Sequence, residues 1–208
     1  MRQENKINLL LGIFITILMC SNFLGGKITT LFGISVSVGI FMIPISFLIT
    51  DIVEDVFGKK KTKQFVLSGV LALVIAFLFA LLSVTLEPNT RYSFNEEYKL
   101  IFSGSLRIIF ASLVAFILAQ YHDIWAFNFW KKKTGQKHLW FRNNASTFVS
   151  QLIDTTVFMF LAFYQVEPKF DALFIVSLII PYWLFKIAFA LIDTPLVYWG
   201  VKWLKKEK

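Results

Sequence analysis

The stretch QFVLSGVLALVIAFLFALLSVTL, residues 64–86, carries no acidic or basic side chain. A helix needs about 20 consecutive apolar residues to cross bilayer hydrocarbon, and this run supplies them. Working outward from it, runs of similar character occupy 7–26, 36–57, 103–129, 145–165 and 172–200. Apolar residues make up 57% of the 208-residue chain and charged residues 16%, so most of the chain belongs in lipid rather than water. The expected fold is all-α: a polytopic membrane helical bundle of about six transmembrane helices, forming a single integral membrane domain over 1–208. The fourth and sixth runs are longer than one straight crossing needs, which implies tilt or extension beyond the hydrocarbon. Pro44 and Pro181 fall inside runs and Pro195 near the end of the last, where each frees a backbone carbonyl and marks a potential kink.

Orientation follows from the basic residues. Arg2 and Lys6, then Lys59, Lys60, Lys61 and Lys63, then Lys131, Lys132, Lys133, Lys137 and Arg142, then Lys202, Lys205, Lys206 and Lys208 all fall on one side of a six-span arrangement. The other side has only Lys27, Arg91, Lys99 and Lys169. This bias puts both termini in the cytoplasm. It also explains the net charge of +8 without nucleic-acid binding, and no direct nucleic-acid partner is expected. The stretch from Ile7 to Cys20 resembles a signal peptide but lacks a small-x-small cleavage site, so it reads as an uncleaved first span. The segment Glu87–Lys99 reads as the one sizeable external loop. Cys20 is the only cysteine, and His122 and His138 have no partner at ligand spacing, so neither a disulfide nor a metal site is expected.

The runs also contain polar groups. Asp51, Arg107, Asp123, Asp154, Lys186 and Asp193 lie within or close to them. A charge in lipid is costly unless it faces a protein interior or a wet cavity. The four aspartates each sit six to nine residues from the assumed cytoplasmic end of their run, or roughly 9–14 Å into the membrane, and so could line one cavity. Gln120-x-x-Asp123 and Gln151-x-x-Asp154 each place an amide and an acid on one helix face. The segments containing them echo each other, from Arg107 and Ala111-Ser112 in one and from Arg142 and Ala145-Ser146 in the other. Lys186 lies mid-run, where snorkelling is hard, so a buried pair with an acid is expected. Arg107 fits a packing salt bridge as well as a ligand. Asn143 and Asn144 fit a helix cap or a ligand contact. Asn22 and Lys27, near Gly25-Gly26, are equally open to both readings. The triplet Asp51-x-x-Glu54-Asp55 spans two helix faces, which weakens it as a metal site. No nucleophile elbow, zinc-hydrolase motif or phosphate-binding glycine loop is present, so no enzyme and no cofactor is expected.

The motifs carry a resemblance. Ser21-Asn22 with Lys27, then Pro44-Ile45-Ser46-Phe47-Leu48-Ile49-Thr50-Asp51-Ile52-Val53-Glu54-Asp55-Val56-Phe57-Gly58-Lys59, are similar to the opening signature of the queuosine precursor transporters, also called the vitamin uptake transporter family. Arg107-x-x-x-Ala111-Ser112, Gln120-x-x-Asp123, Trp140-Phe141-Arg142-Asn143-Asn144-x-Ser146-Thr147, Gln151-x-x-Asp154-Thr155 and Lys186 followed by Asp193-Thr194-Pro195 fall in the family's order. The resemblance implies an inner-membrane importer of 7-deazaguanine compounds, salvaged for the modified tRNA base queuosine. It also implies a link to the substrate-binding subunits of energy-coupling ATPase modules. The family often shows one acid before its aromatic-glycine pair, so which of Glu54 and Asp55 takes that role is open. A guanine-like N–H edge suits a carboxylate acceptor, and aromatic faces suit the flat ring. The alternatives are a binding subunit for another vitamin, a membrane-embedded enzyme, or an assembly protein. The oligomeric state is left open.

Overall fold

The computed structural model describes residues 2–133, 139–192 and 194–206; the side chains at 43, 59, 120, 123, 124, 127, 128, 131, 139–147, 190–192 and 194 lie outside that description. Helix α1 (Gln3–Leu24) leads into a hairpin of β1 (Ile28–Leu31) and β2 (Ile34–Ser37), a short 3-10 turn (Val38–Phe41) and α2 (Ile43–Phe57). Then follow α3 (Lys59–Thr85), α4 (Asn95–Lys133), α5 (Leu139–Phe163), α6 (Ala172–Ile192) and α7 (Thr194–Lys205). The chain is a helical membrane bundle, as the apolar runs imply.

Among the described residues four helices are long and apolar enough to cross a bilayer: Gln3–Leu24, Lys60–Thr85, Asn95–Ala119 and Ala172–Phe189. The described apolar part of α5, Phe148–Phe163, is shorter. In α3 the exposed residues Leu67, Leu71, Ile75, Leu78 and Leu82 form one stripe. Such a stripe is ordinary against lipid and a liability in water.

The expected second span, 36–57, differs most from the structure. Its first residues belong to β2 and the 3-10 turn, and the helix starts only at Ile43. Fifteen residues of α2 reach only about 22 Å, short of the ~30 Å of hydrocarbon. The hairpin ahead of it pairs Ile28 with Ser37 and Leu31 with Ile34 in antiparallel register. At its tip Phe32 and Gly33 both take positive φ, 49° and 81°, as the two central residues of a type I′ turn require. Ser37 locks the hairpin to the bundle. Its hydroxyl donates to the Gly25 carbonyl at 2.6 Å, accepts from the Gly39 N–H at 3.1 Å and pairs with the Tyr182 hydroxyl of α6. The expected loop Glu87–Lys99 is also shorter than read. Helix α4 begins at Asn95, with Glu96 and Glu97 in its first turn, where acids favour the positive end of the helix dipole. Its 39 residues run roughly 58 Å, well beyond one crossing.

Two apolar cores hold the bundle. One joins Val36, Ile40, Ile108, Met159, Ile175, Leu178 and Tyr182 at the hairpin end. The other joins Ile7, Leu10, Phe14, Ile52, Val53, Phe65 and Leu204 at the opposite end. At that second end the buried Lys6 ammonium donates to the carbonyls of Trp203 and Lys206 and lies 5.0 Å from the Trp203 ring centroid. The start of α1 and the end of α7 are therefore neighbours. Between the two cores lies open space.

Candidate functional site

Six helices bring polar side chains to that space. Helix α2 presents Ser46, Phe47, Thr50, Asp51 and Glu54 along one face, a spacing set by 3.6 residues per turn. With Leu18 of α1, Thr62 of α3, Ser112 and Phe116 of α4 and Gln151 and Asp154 of α5, they line a cavity of about 320 Å³. An adjoining cavity of about 140 Å³ is lined by Ser21 and Asn22 of α1, Asp154, Thr155 and Phe158 of α5, and Tyr182 and Lys186 of α6. The two share Leu18, Ser46, Phe47, Ser112 and Asp154 in their walls.

Asp154 and Lys186 form the electrostatic centre. The Lys186 ammonium donates to Asp154 Oδ2 at 2.7 Å and to the Thr155 hydroxyl at 3.1 Å. Lys186 is 8% exposed and Asp154 26%, so the acid keeps access to the cavity while the base is enclosed. The mid-run lysine has found an acid, 32 positions away. Among the described residues two buried side-chain oxygens in the cavity walls have no hydrogen-bond partner, Asn22 Oδ1 and Gln151 Oε1.

Of the residues singled out in the sequence, the structure brings Asn22, Asp51, Gln151, Asp154 and Lys186 together. Arg107 is placed elsewhere. Its Nε donates to the Leu161 carbonyl at 2.7 Å and its guanidinium also reaches the Tyr164 carbonyl, satisfying carbonyls that the end of α5 leaves open. It lines a wide cleft of about 880 Å³ at the hairpin end, together with Glu96, Glu97 and Lys99. Buried Ile108 belongs to the walls of both this cleft and the small inner cavity. The side chains of Gln120, Asp123, Asn143 and Asn144, and all of Asp193, lie outside the described residues. Glu54 and Asp55 separate: Glu54 lines the cavity, while Asp55 faces Lys205 of α7 at 3.4 Å. Ser46, Thr50, Ser112 and Tyr182 were not singled out. The signal for the first two was their helical spacing with Asp51 and Glu54 on one face; Ser112 carried one in the motif Arg107-x-x-x-Ala111-Ser112, and Tyr182 carried none. Among the described residues no group of three or more His, Cys, Asp or Glu is placed to hold a metal ion.

An apolar bundle around a mostly apolar cavity, with convergent polar side chains and an ion pair in its wall, has the construction of a membrane carrier for a small polar molecule. The family model described as "Putative vitamin uptake transporter" matches residues 37–200, and the chain belongs to that family. It is 29% identical over 203 residues to the "Probable queuosine precursor transporter" of Bacillus subtilis, an alignment covering 95% of this chain and 87% of that protein. It is 26% identical over 172 residues to the "Queuosine precursor transporter" of Escherichia coli, covering 82% and 75%. No solved structure matches it. The protein is thus a multi-pass membrane transporter and not an enzyme.

Proposed function

We propose that the protein imports a queuosine precursor, a 7-deazaguanine compound such as the 7-cyano or 7-aminomethyl base or queuine, across the cell inner membrane for salvage into tRNA. The observation that carries this reading is the Asp154–Lys186 pair at 2.7 Å in the shared wall of the two cavities. Its carboxylate offers an acceptor to the N–H edge of a guanine-like ring, and Lys186 holds that carboxylate in place. Phe47, Phe116 and Phe158 supply apolar faces for a flat ring. The two relatives' names point the same way.

In this reading residues 1–208 act as one transport unit with both termini cytoplasmic. Asn22, Asp51, Gln151, Asp154 and Lys186 form the substrate site, and Gln120, Asp123, Asn143, Asn144 and Asp193 extend it. Arg107 acts at the outer cleft. An energy-coupling ATPase module is the partner to test for, because the chain has no phosphate-binding loop of its own.

The test is uptake of labelled 7-deazaguanines, alongside queuosine content of tRNA, in cells without precursor synthesis or endogenous import. Wild-type protein should restore tRNA queuosine. Asp154→Asn should insert into the membrane and import little. A correctly inserted wild-type protein that imports none of these compounds, with or without a coupling module, would sink the assignment. The alternative of a binding subunit for another vitamin would then lead.

A further inference from the structure

Asn22 is 4% exposed and lines the smaller cavity. Its Nδ2 donates to the Leu18 carbonyl at 2.8 Å. A carbonyl only accepts, so this bond decides which way the amide faces: nitrogen to the α1 backbone, oxygen away from it. That oxygen is buried and has no partner. Buried acceptors are normally satisfied, and an exception calls for an explanation. Gln151 Oε1, in the wall of the larger cavity, is in the same condition. Asp154, common to both walls, adds a carboxylate between them. Lys186, the cation among the described residues of these walls, is already engaged by Asp154 and Thr155. Among the described residues this stretch of the cavity therefore holds two buried acceptors without a partner, with a carboxylate in the same walls.

We propose that Asn22 is a specificity-determining residue, whose Oδ1 accepts an N–H from the exocyclic amine of a 2-amino-4-oxo ring seated against Asp154. The proposal rests on the importer reading above and deepens it. A ring of this kind presents one N–H on the ring nitrogen and two on the amine along a single edge. The 2-desamino ring keeps only the first. A site built around a substrate N–H discriminates strongly against the analogue that lacks it, because the protein acceptor is then left buried and unpaired. Asn22 thus selects the aminated ring, where a purely apolar wall would accept both.

The experiment measures binding of 7-deazaguanine and of 7-deazahypoxanthine to the purified full-length protein, wild type and Asn22→Leu. Leucine approximates the shape of the amide and removes its polar atoms. Wild type should prefer the aminated compound by roughly tenfold or more. Asn22→Leu should weaken that compound by roughly ten- to a hundredfold and leave the desamino compound nearly unchanged, so the preference falls towards one. The thermal stability of ligand-free Asn22→Leu should match or exceed that of wild type, since an orphaned acceptor has been removed. Equal wild-type affinity for the two compounds overturns the proposal, and that ratio needs no variant. So does an Asn22→Leu protein that keeps the wild-type preference. So does one that loses ligand-free stability in step with affinity, which would assign Asn22 to packing. Wild type that binds neither compound also overturns the proposal, while the importer reading stands or falls on the uptake assay with the 7-substituted bases.

Discussion

Lys186 sits in α6 between a carboxylate and a threonine hydroxyl, with 8% of its surface exposed. A buried ion pair adds little net stability, but removing one partner strands the other at a cost of about 3–5 kcal/mol. Lys186→Met should therefore lower the melting temperature in detergent sharply, by leaving Asp154 unpaired. The double variant Asp154→Asn/Lys186→Met should recover most of that loss and still fail to transport. The check is a thermal unfolding cycle over the two single variants and the double. Strictly additive losses would show that the two side chains are not coupled. Both residues were legible in the sequence, because a charge inside an apolar run needs a reason to be there. Their pairing was not, because it depends on how α5 packs on α6. Asn22 was ambiguous for a related reason. Beside Gly25-Gly26 it reads as well as the fraying end of a helix as it does a buried amide.

Whole elements were legible in proportion to their length. The run over 64–86 is apolar for more than five turns, and α3 follows it closely. The segment Ile28–Ser37 was passed over, although ITTL and ISVS are two β-branched runs split by Phe32-Gly33, a recognisable hairpin pattern. It was hidden because the runs on either side imposed a helical reading on it. The hairpin explains how a helix as short as α2 serves within the membrane. Non-helical backbone is tolerated at depth only where protein buries it or it lines a cavity, and Val36, Ser37, Gly39 and Ile40 are all buried. Packing of α2 against α7 is equally specific. A Cβ on Gly200 would lie 2.2 Å from Ile52 Cδ1 and 2.8 Å from its Cγ1, and Ile52 is itself enclosed in the core. Gly200→Ala should cost about 1–3 kcal/mol through overpacking. Adding Ile52→Val, which removes the Cδ1 methyl, should restore part of it. Thermal melts of the single and double variants measure both effects, and a Gly200→Ala protein as stable as wild type would refute the close α2–α7 contact.

At the scale of the molecule, the two ends of the cavity differ in what lines them. Ile108 and the locked hairpin separate it from the wide cleft that holds Glu96, Glu97 and Arg107. At the other end its wall runs to the exposed carboxylates of Asp51 and Glu54. This is the end where Lys6 clasps α7 and Asp55 meets Lys205. The basic residues cluster in the termini and in the segments after the second and fourth runs, and the proposed orientation with cytoplasmic termini places this end inside. In that orientation the Asp51 and Glu54 end of the cavity faces inward. The consequence is a sided pattern of chemical access. In a Cys20→Ser background, which removes the native thiol, Glu54→Cys should react with a membrane-impermeant thiol reagent in inside-out vesicles but not in intact cells. Glu97→Cys, in the outer cleft, should show the reverse. Added substrate should slow labelling at Glu54→Cys and leave Glu97→Cys unaffected, because only the first lines the cavity. Labelling of both from one side would overturn the orientation. Labelling at Glu54→Cys that ignores substrate would detach the cavity from transport even if the orientation held.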